Sequence, residues 1–313
     1  MHPSYPHEPI GGIKALSKVF GLERDELIEI ANNSNRYFFV AKIANKKDGS
    51  IRLTYDVKPE LKRIHEKICS HLLKKVDYPS YIQGGTKGKD YVSNCRIHIN
   101  KKVVLKEDVS NFFPSISKKI IHEVFAGFFK FPHDVAQILA ELVTFKGKLV
   151  QGGKASGFLC NLIFWEREPK LVLDLSQRGY VYTRFIDDIT VSCTRNISNR
   201  EQTYIIGKIY GMLRSVDANP NKSKHKVMSN GVKQQLHNVN LNAEIPTLPK
   251  KERSKIKTAV FQCEQAHEKN MNPVEYEKLF NSAMGRVNTL CRMHSKKGNE
   301  LKIRLQKVKP KLS

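Results

Sequence analysis

The stretch VYTRFIDDITVSC, residues 181–193, decides how this chain is to be read. Val181, Thr183 and Phe185 alternate with Tyr182 and Arg184; after two acids, Ile189, Val191 and Cys193 alternate with Thr190 and Ser192. Period-two alternation of β-branched and aromatic residues predicts strand, turn, strand, with Asp187 and Asp188 in or beside the turn. Adjacent carboxylates repel unless something neutralises them. A solvated turn accommodates such a pair, because Asp is a common turn residue. A metal site requires at least one further carboxylate from elsewhere in the chain.

The elements around the acids supply a candidate. An apolar strand, VVLKEDV (103–109), ends near Asp108, and helical periodicity follows over 117–129, 134–145 and 157–176. After the 181–193 hairpin come a helix over 199–216 and a strand near 225–229. The order β, helices, β-hairpin, α, β approximates the split β-α-β-β-α-β plan. That sheet sets strand 103–109 beside the hairpin, so Asp108 faces Asp187 and Asp188. Three carboxylates of this kind suit an oxygen-preferring ion such as Mg²⁺.

Upstream, residues 11–33 read as one or two short helices. Residues 36–57 read as a hairpin turning at Lys46-Lys47-Asp48-Gly49-Ser50, and Pro59 opens a helix. A Gly- and Lys-rich loop, QGGTKGKD, occupies 83–90.

Charge narrows the partner. Against 30 acids stand 54 Lys and Arg, a formal +24, which argues for a polyanion. No apolar run reaches the length of a membrane span, and MHPSYPHEPI lacks the character of a signal peptide. Nucleic acid in the cytoplasm, with no membrane, is the expectation. Residues 250–313 carry 16 Lys and Arg against 6 acids on a helical pattern, suited to tracking phosphates. The six cysteines form no CxxC pair and read as reduced thiols.

Five motifs in order resemble those of reverse transcriptases, and within them the bacterial retron type. LKEDVSNFFPSI (105–116) is similar to LxxDLxxFFPSI; VQGGKASGFLCNLI (150–163) to PQGxPSSPxLANLI; YTRFIDDITVS (182–192) to YTRYADDLTxS; NPNKSKHKVM (219–228) to the later Asn-x-x-Lys-Thr motif; and KKDGSIR (46–52) to KKxGxxR. NCRIH, Asn94 to His98, stands where retron enzymes carry NAxxH.

The resemblance implies an α+β right-hand polymerase fold with fingers, ferredoxin-like palm and α-helical thumb. Its divisions would be a helical extension at 1–35, fingers at 36–102 including 94–98, a palm with interleaved fingers helices at 103–245, and a basic thumb at 246–313. It implies an RNA-directed DNA polymerase that copies part of a cognate noncoding RNA into single-stranded DNA, self-primed from a guanosine 2′-hydroxyl. Phage defence with a linked effector protein and trimming by host RNase H go with that family.

By the same resemblance, two Mg²⁺ ions, with Mn²⁺ as substitute, are held by Asp108 and Asp187, completed by Asp188 and the backbone at Val109. The dNTP site draws on Lys46 or Lys47 with Arg52, on Gln151 and Gly152, and on Lys222 near the leaving pyrophosphate. Phe113, five residues after Asp108, is the expected steric gate, with Phe112 as the core ring of the pair. Asn94, His98, His237 and Asn238 are the expected RNA contacts. Departures include Phe185 for the family's Tyr, Val150, Lys154 and Gly157 for three prolines, and His237-Asn238 for Thr-Gly. Other bacterial reverse transcriptases, CRISPR-associated, diversity-generating or abortive-infection, and a non-catalytic RNA-binding scaffold on the same fold, are the competing readings.

Overall fold

The computed structural model describes residues 2–45 and 49–310. The chain divides into two compact units, Met1–Asp90 with Leu105–Val227, and Tyr91–Val104 with Met228–Ser313.

The first unit is built on the sheet that the alternation predicts. Val181–Phe185 and Asp188–Cys193 pair antiparallel. The second of these lies beside the central strand Val103–Ser110, whose other edge takes Asn219–Pro220 and Lys226–Ser229. With the four main strands numbered along the chain, the spatial order is 4-1-3-2. This is the β-α-β-β-α-β arrangement, and it sets the end of the central strand against the hairpin tip. The central strand is buried along nearly its whole length, as expected of a strand with neighbours on both edges.

Helix Asn199–Arg214 starts on a capping box, with the Ser198 hydroxyl accepting from Glu201 N–H and the Glu201 carboxylate accepting from Ser198 N–H. Its buried side, Ile205, Ile209, Met212 and Leu213, follows helical spacing. The periodicity over 157–176 resolves into two helices, Ser156–Leu162 and Glu168–Gln177. Pro169 opens the second, because a proline lacks the N–H that a continuous helix would need there.

The N-terminal hairpin pairs Phe38–Asn45 with Ile51–Val57 and carries a bulge between Val40 and Lys42. Lys46 and Lys47, expected at the nucleotide, lie outside the described residues.

The second unit packs three helices, Lys250–Glu268, Pro273–Cys291 and Ser295–Lys307, around Val260, Cys263, Phe280, Val287, Leu290 and Leu305. Helix Tyr91–Ile97 and the short hairpin Gln235–Leu236/Val239–Asn240 join the same core through Val92, Cys95, Leu236 and Val239. Segment 94–98 lies in the compact unit that also contains Met228–Ser313. The cause is local: Cys95 is apolar enough to enter that core, and its thiol donates to the carbonyl of Leu236. The six cysteines are free thiols, five of them buried. No helix among the described residues is long and apolar enough to cross a membrane.

Candidate active site

The hairpin tip is a strained and heavily braced turn. Phe185 pairs with Asp188, leaving Ile186 and Asp187 as the two turn residues. Ile186 has φ +58, a left-handed conformation that a β-branched side chain adopts only under constraint. The brace comes from two sides. Arg184, fully buried, donates from Nη1 to the carbonyl of Ile186, and from Nε and Nη2 to the two oxygens of buried Glu168 at 2.6 and 2.8 Å. Burial alone would lower the affinity of Arg184 for its proton, but the charge and hydrogen bonds of Glu168 more than reverse that.

On the other side lies the 83–85 loop. Gln83 N–H donates to the Arg184 carbonyl, and the Asn161 amide donates to the Gly84 carbonyl. A Cβ at Gly84 would stand 2.8 Å from the backbone nitrogen of Ile186. Only glycine allows that approach, which gives the Gly-rich loop its reason.

The sheet brings the strand of Asp108 against the tip that carries Asp187 and Asp188. Val109 N–H donates to the carbonyl of Asp187 at 3.1 Å, tying the central strand to the tip. Burial, then the neighbouring Asp188 and more weakly Asp108, push the Asp187 carboxyl up to about 6. Asp108 is itself buried, and both its oxygens are held by Lys224 Nζ at 3.0 and 3.1 Å, with Asn221 Nδ2 donating to one of them. Asp188 is paired with Lys106 at 2.7 Å.

On the central strand, Glu107 is fully buried between Asp108 and Lys106. It meets His225 Nδ1 at 2.5 Å and accepts from the Tyr210 hydroxyl. Burial raises its carboxyl, against the pull of His225. Consecutive residues Lys224 and His225 thus grip consecutive residues Asp108 and Glu107.

Among the described residues no three His, Cys, Asp or Glu side chains already stand as a metal-binding group. Two lysine ammoniums instead supply positive charge to Asp108 and Asp188. Carboxylates this near to one another, of which Asp187 is raised by burial and by its neighbours, and which draw lysines to themselves, offer the hard-oxygen chemistry that suits a divalent cation.

Other expected site residues fall as follows. Gln151 accepts at its carbonyl from Tyr55 N–H, which lays the 151–152 turn against the N-terminal hairpin. Gly152, at φ +101, has Thr54 Cγ2 and the Tyr55 carbonyl 2.5 Å from where a Cβ would be. Arg52 is exposed on that hairpin. Phe112 is buried and stacked on Phe164, whereas Phe113 is half-exposed. Lys222 is exposed, and it is Lys224 that pairs with Asp108. The 3₁₀ turn Lys222–Lys224 decides between the two lysines, and spacing alone could not.

Asn94 and His98 are fully buried, so they do not offer surface to RNA. Asn94 Nδ2 donates to His237 Nε2 at 3.1 Å. His237 and Asn238 form the turn between Leu236 and Val239, with φ +48 and +62. Of the four expected RNA contacts, only Asn238 is exposed, with His237 half-buried beside Tyr91.

The chain matches the reverse transcriptase (RNA-dependent DNA polymerase) family over residues 44–269. Retron Se72 reverse transcriptase of Salmonella heidelberg is 31% identical, over 98% of this chain and 82% of its own length. Retron Ec48 reverse transcriptase of Escherichia coli is 31% identical over 98% and 78%. The chain belongs to the retron reverse transcriptases. It is an RNA-directed DNA polymerase with the right-hand fold, and its template is RNA. Among solved structures, apo telomerase from Candida tropicalis aligns with a TM-score of 0.47 at 10% identity, over 85% of this chain and 62% of that one.

Sequence reasoning singled out the three acids but not the residues that brace them. Arg184, Asn161 and Lys106 sit inside the quoted motifs, yet nothing in their spacing says that they face the tip. Glu168 and Gly84 lie outside those motifs, and their partners are far along the chain.

Proposed function

We propose that this retron reverse transcriptase copies part of a cognate structured noncoding RNA into single-stranded DNA, starting from a guanosine 2′-hydroxyl of that RNA. A branched RNA–DNA product follows. The observation that carries the reading is the convergence of Asp108, Asp187 and Asp188 at a braced hairpin tip in a chain of this family.

In this reading Asp108 and Asp187, completed by Asp188 and the backbone at Val109, hold two Mg²⁺ ions or Mn²⁺ in their place. Bound there, the ions supply charge neutralisation of the triphosphate and activation of the attacking hydroxyl. The residues of the chain do the rest. Arg184 and Glu168 keep the tip from relaxing, so the carboxylates do not have to reorganise during the reaction. Lys222, with Lys224 beside it at Asp108, supplies positive charge and a proton near the leaving pyrophosphate. Gln151 and Gly152 support the template and incoming base, and Arg52 the triphosphate. The Phe113 ring excludes a 2′-hydroxyl from the incoming sugar. A linked effector protein, trimming by host RNase H and a cytoplasmic role in phage defence complete the proposal.

The test is to purify the protein from its own host, extract bound nucleic acid and treat it with RNase or DNase. A short DNA that shrinks on RNase treatment and is missing from an Asp187→Asn strain supports self-primed synthesis. Bound RNA without DNA in either strain overturns it.

A further inference from the structure

In the C-terminal unit, a cavity of about 280 Å³ opens beside the first two turns of helix Lys250–Glu268 and the first turn of helix Ser295–Lys307. Its lining is Lys250, Arg253, Ser254, Lys257, Leu290 and Lys297. Four cations and a hydroxyl thus surround a space with no acid in its wall. None of the four forms an ion pair with a carboxylate among the described residues, although acids elsewhere in these helices do pair, Glu252 with Lys255 and Glu264 with Arg304.

Three further observations point the same way. Neither helix start has a side-chain cap, so the first-turn N–H groups of both are left to other acceptors. The Nε of Arg253 is closed off from solvent without a hydrogen-bond partner, and a buried donor left unsatisfied is costly unless a ligand meets it. His294, whose Nε2 accepts from Leu248 N–H, is pushed below the usual histidine range by burial and then by Arg253 and Lys297. The positive potential is therefore not balanced from within the protein.

We propose that this cavity is a phosphate seat, which takes a backbone phosphodiester of the nucleic acid strand the enzyme works on. The two helix starts and the cations face the anion, and Leu290 offers an apolar wall to the sugar carbons. A seat of this kind fixes the register of a strand, because a phosphate is held in one place rather than along a general basic face. The inference rests on the reading of the chain as an enzyme of nucleic acid.

The experiment is equilibrium binding of the full chain to RNA and to DNA oligonucleotides of equal length over a range of salt. The double variant Lys257→Gln/Lys297→Gln, both exposed side chains, is compared with Lys269→Gln/Lys296→Gln, which removes the same charge from exposed positions outside the cavity. The first pair is expected to weaken binding about tenfold at physiological salt and to flatten the log–log salt slope by roughly 1. The second pair should change binding less than about twofold. The strand, RNA or DNA, that shows the larger loss is the one seated. In a parallel measurement, inorganic phosphate should raise the Tm of the unmodified chain more than that of the cavity variant. Equal weakening by both doubles, with equal response to phosphate, overturns the seat. Because turnover is not measured, that outcome leaves the polymerase assignment standing.

Discussion

Asn94 and His237 are 143 residues apart in sequence, and the amide of one meets the imidazole of the other at 3.1 Å. This bond pins the Tyr91–Ile97 helix to a two-residue hairpin turn whose members both have positive φ. Such turns match the twist of their strands and favour Asn and Gly. Asn238 therefore replaces the family's Gly without changing the turn, and His237 is kept in an unfavourable conformation by what its ring contacts. Asn94→Ala should lower unfolding stability by about 1–3 kcal/mol in urea titration. Asn238→Gly should change it by less than about 1 kcal/mol. Equal effects would mean that the pin carries nothing.

The two adjacent phenylalanines should separate by assay. Phe112 is stacked at 13° on Phe164 in the core, so Phe112→Ala should cost about 3–5 kcal/mol of stability. Phe113→Ala should leave the fold largely intact and raise ribonucleotide incorporation, measured as the ratio of rNTP to dNTP use. Unchanged discrimination would remove Phe113 as the gate.

Gly152→Ala puts a methyl group against Thr54 and the Tyr55 carbonyl, at a φ that L residues seldom adopt. The N-terminal hairpin would have to move away from the Gln151 turn. The expected outcome is a loss of about 1–3 kcal/mol and a rise in KM for dNTP. A thermal melt with a dNTP titration checks both.

Glu168→Gln leaves the Arg184 guanidinium buried with a neutral partner in place of its bidentate carboxylate. Breaking a buried pair from one side costs about 3–5 kcal/mol. Because Arg184 also holds the Ile186 carbonyl, DNA synthesis by whatever fraction remains folded should fall too. Full specific activity in the folded fraction would show that the hairpin tip does not depend on this brace.

His98 gives the pH dependence a defined sign. Burial, then Lys101 and His237, push its ring down to about 3, whereas an unfolded histidine titrates near 6.5. Between those values the unfolded chain binds a proton that the folded chain excludes. Stability therefore holds above about pH 6.5 and falls as pH drops toward 3, by at most about 1.4 kcal/mol per pH unit. In His98→Gln the slope of unfolding free energy between about pH 6.5 and 4.5 should be shallower by that share. An identical slope in both proteins would show that His98 is not the group responsible.

Local order was written in the sequence. Alternation around Asp187 and Asp188 gave both strands and their turn, because a half-buried strand leaves a period of two. The order of strands and helices from 103 to 229 predicted the sheet plan, and the five motifs predicted the family. Lys46 and Lys47, expected in a turn, lie outside the described residues.

What only the tertiary structure decided was which polar groups face one another. Lys224 rather than Lys222 reaches Asp108, because a 3₁₀ turn sets the direction of each side chain. Asn94 and His98 turn inward rather than toward RNA, since Cys95 between them belongs to the core of the C-terminal unit. Arg184 and Glu168 pair across 16 residues, and Gly84 closes on Ile186 across 102. Strand and helix periods are properties of neighbouring residues, whereas charge compensation and close approach depend on distances in space, which the folded chain alone fixes.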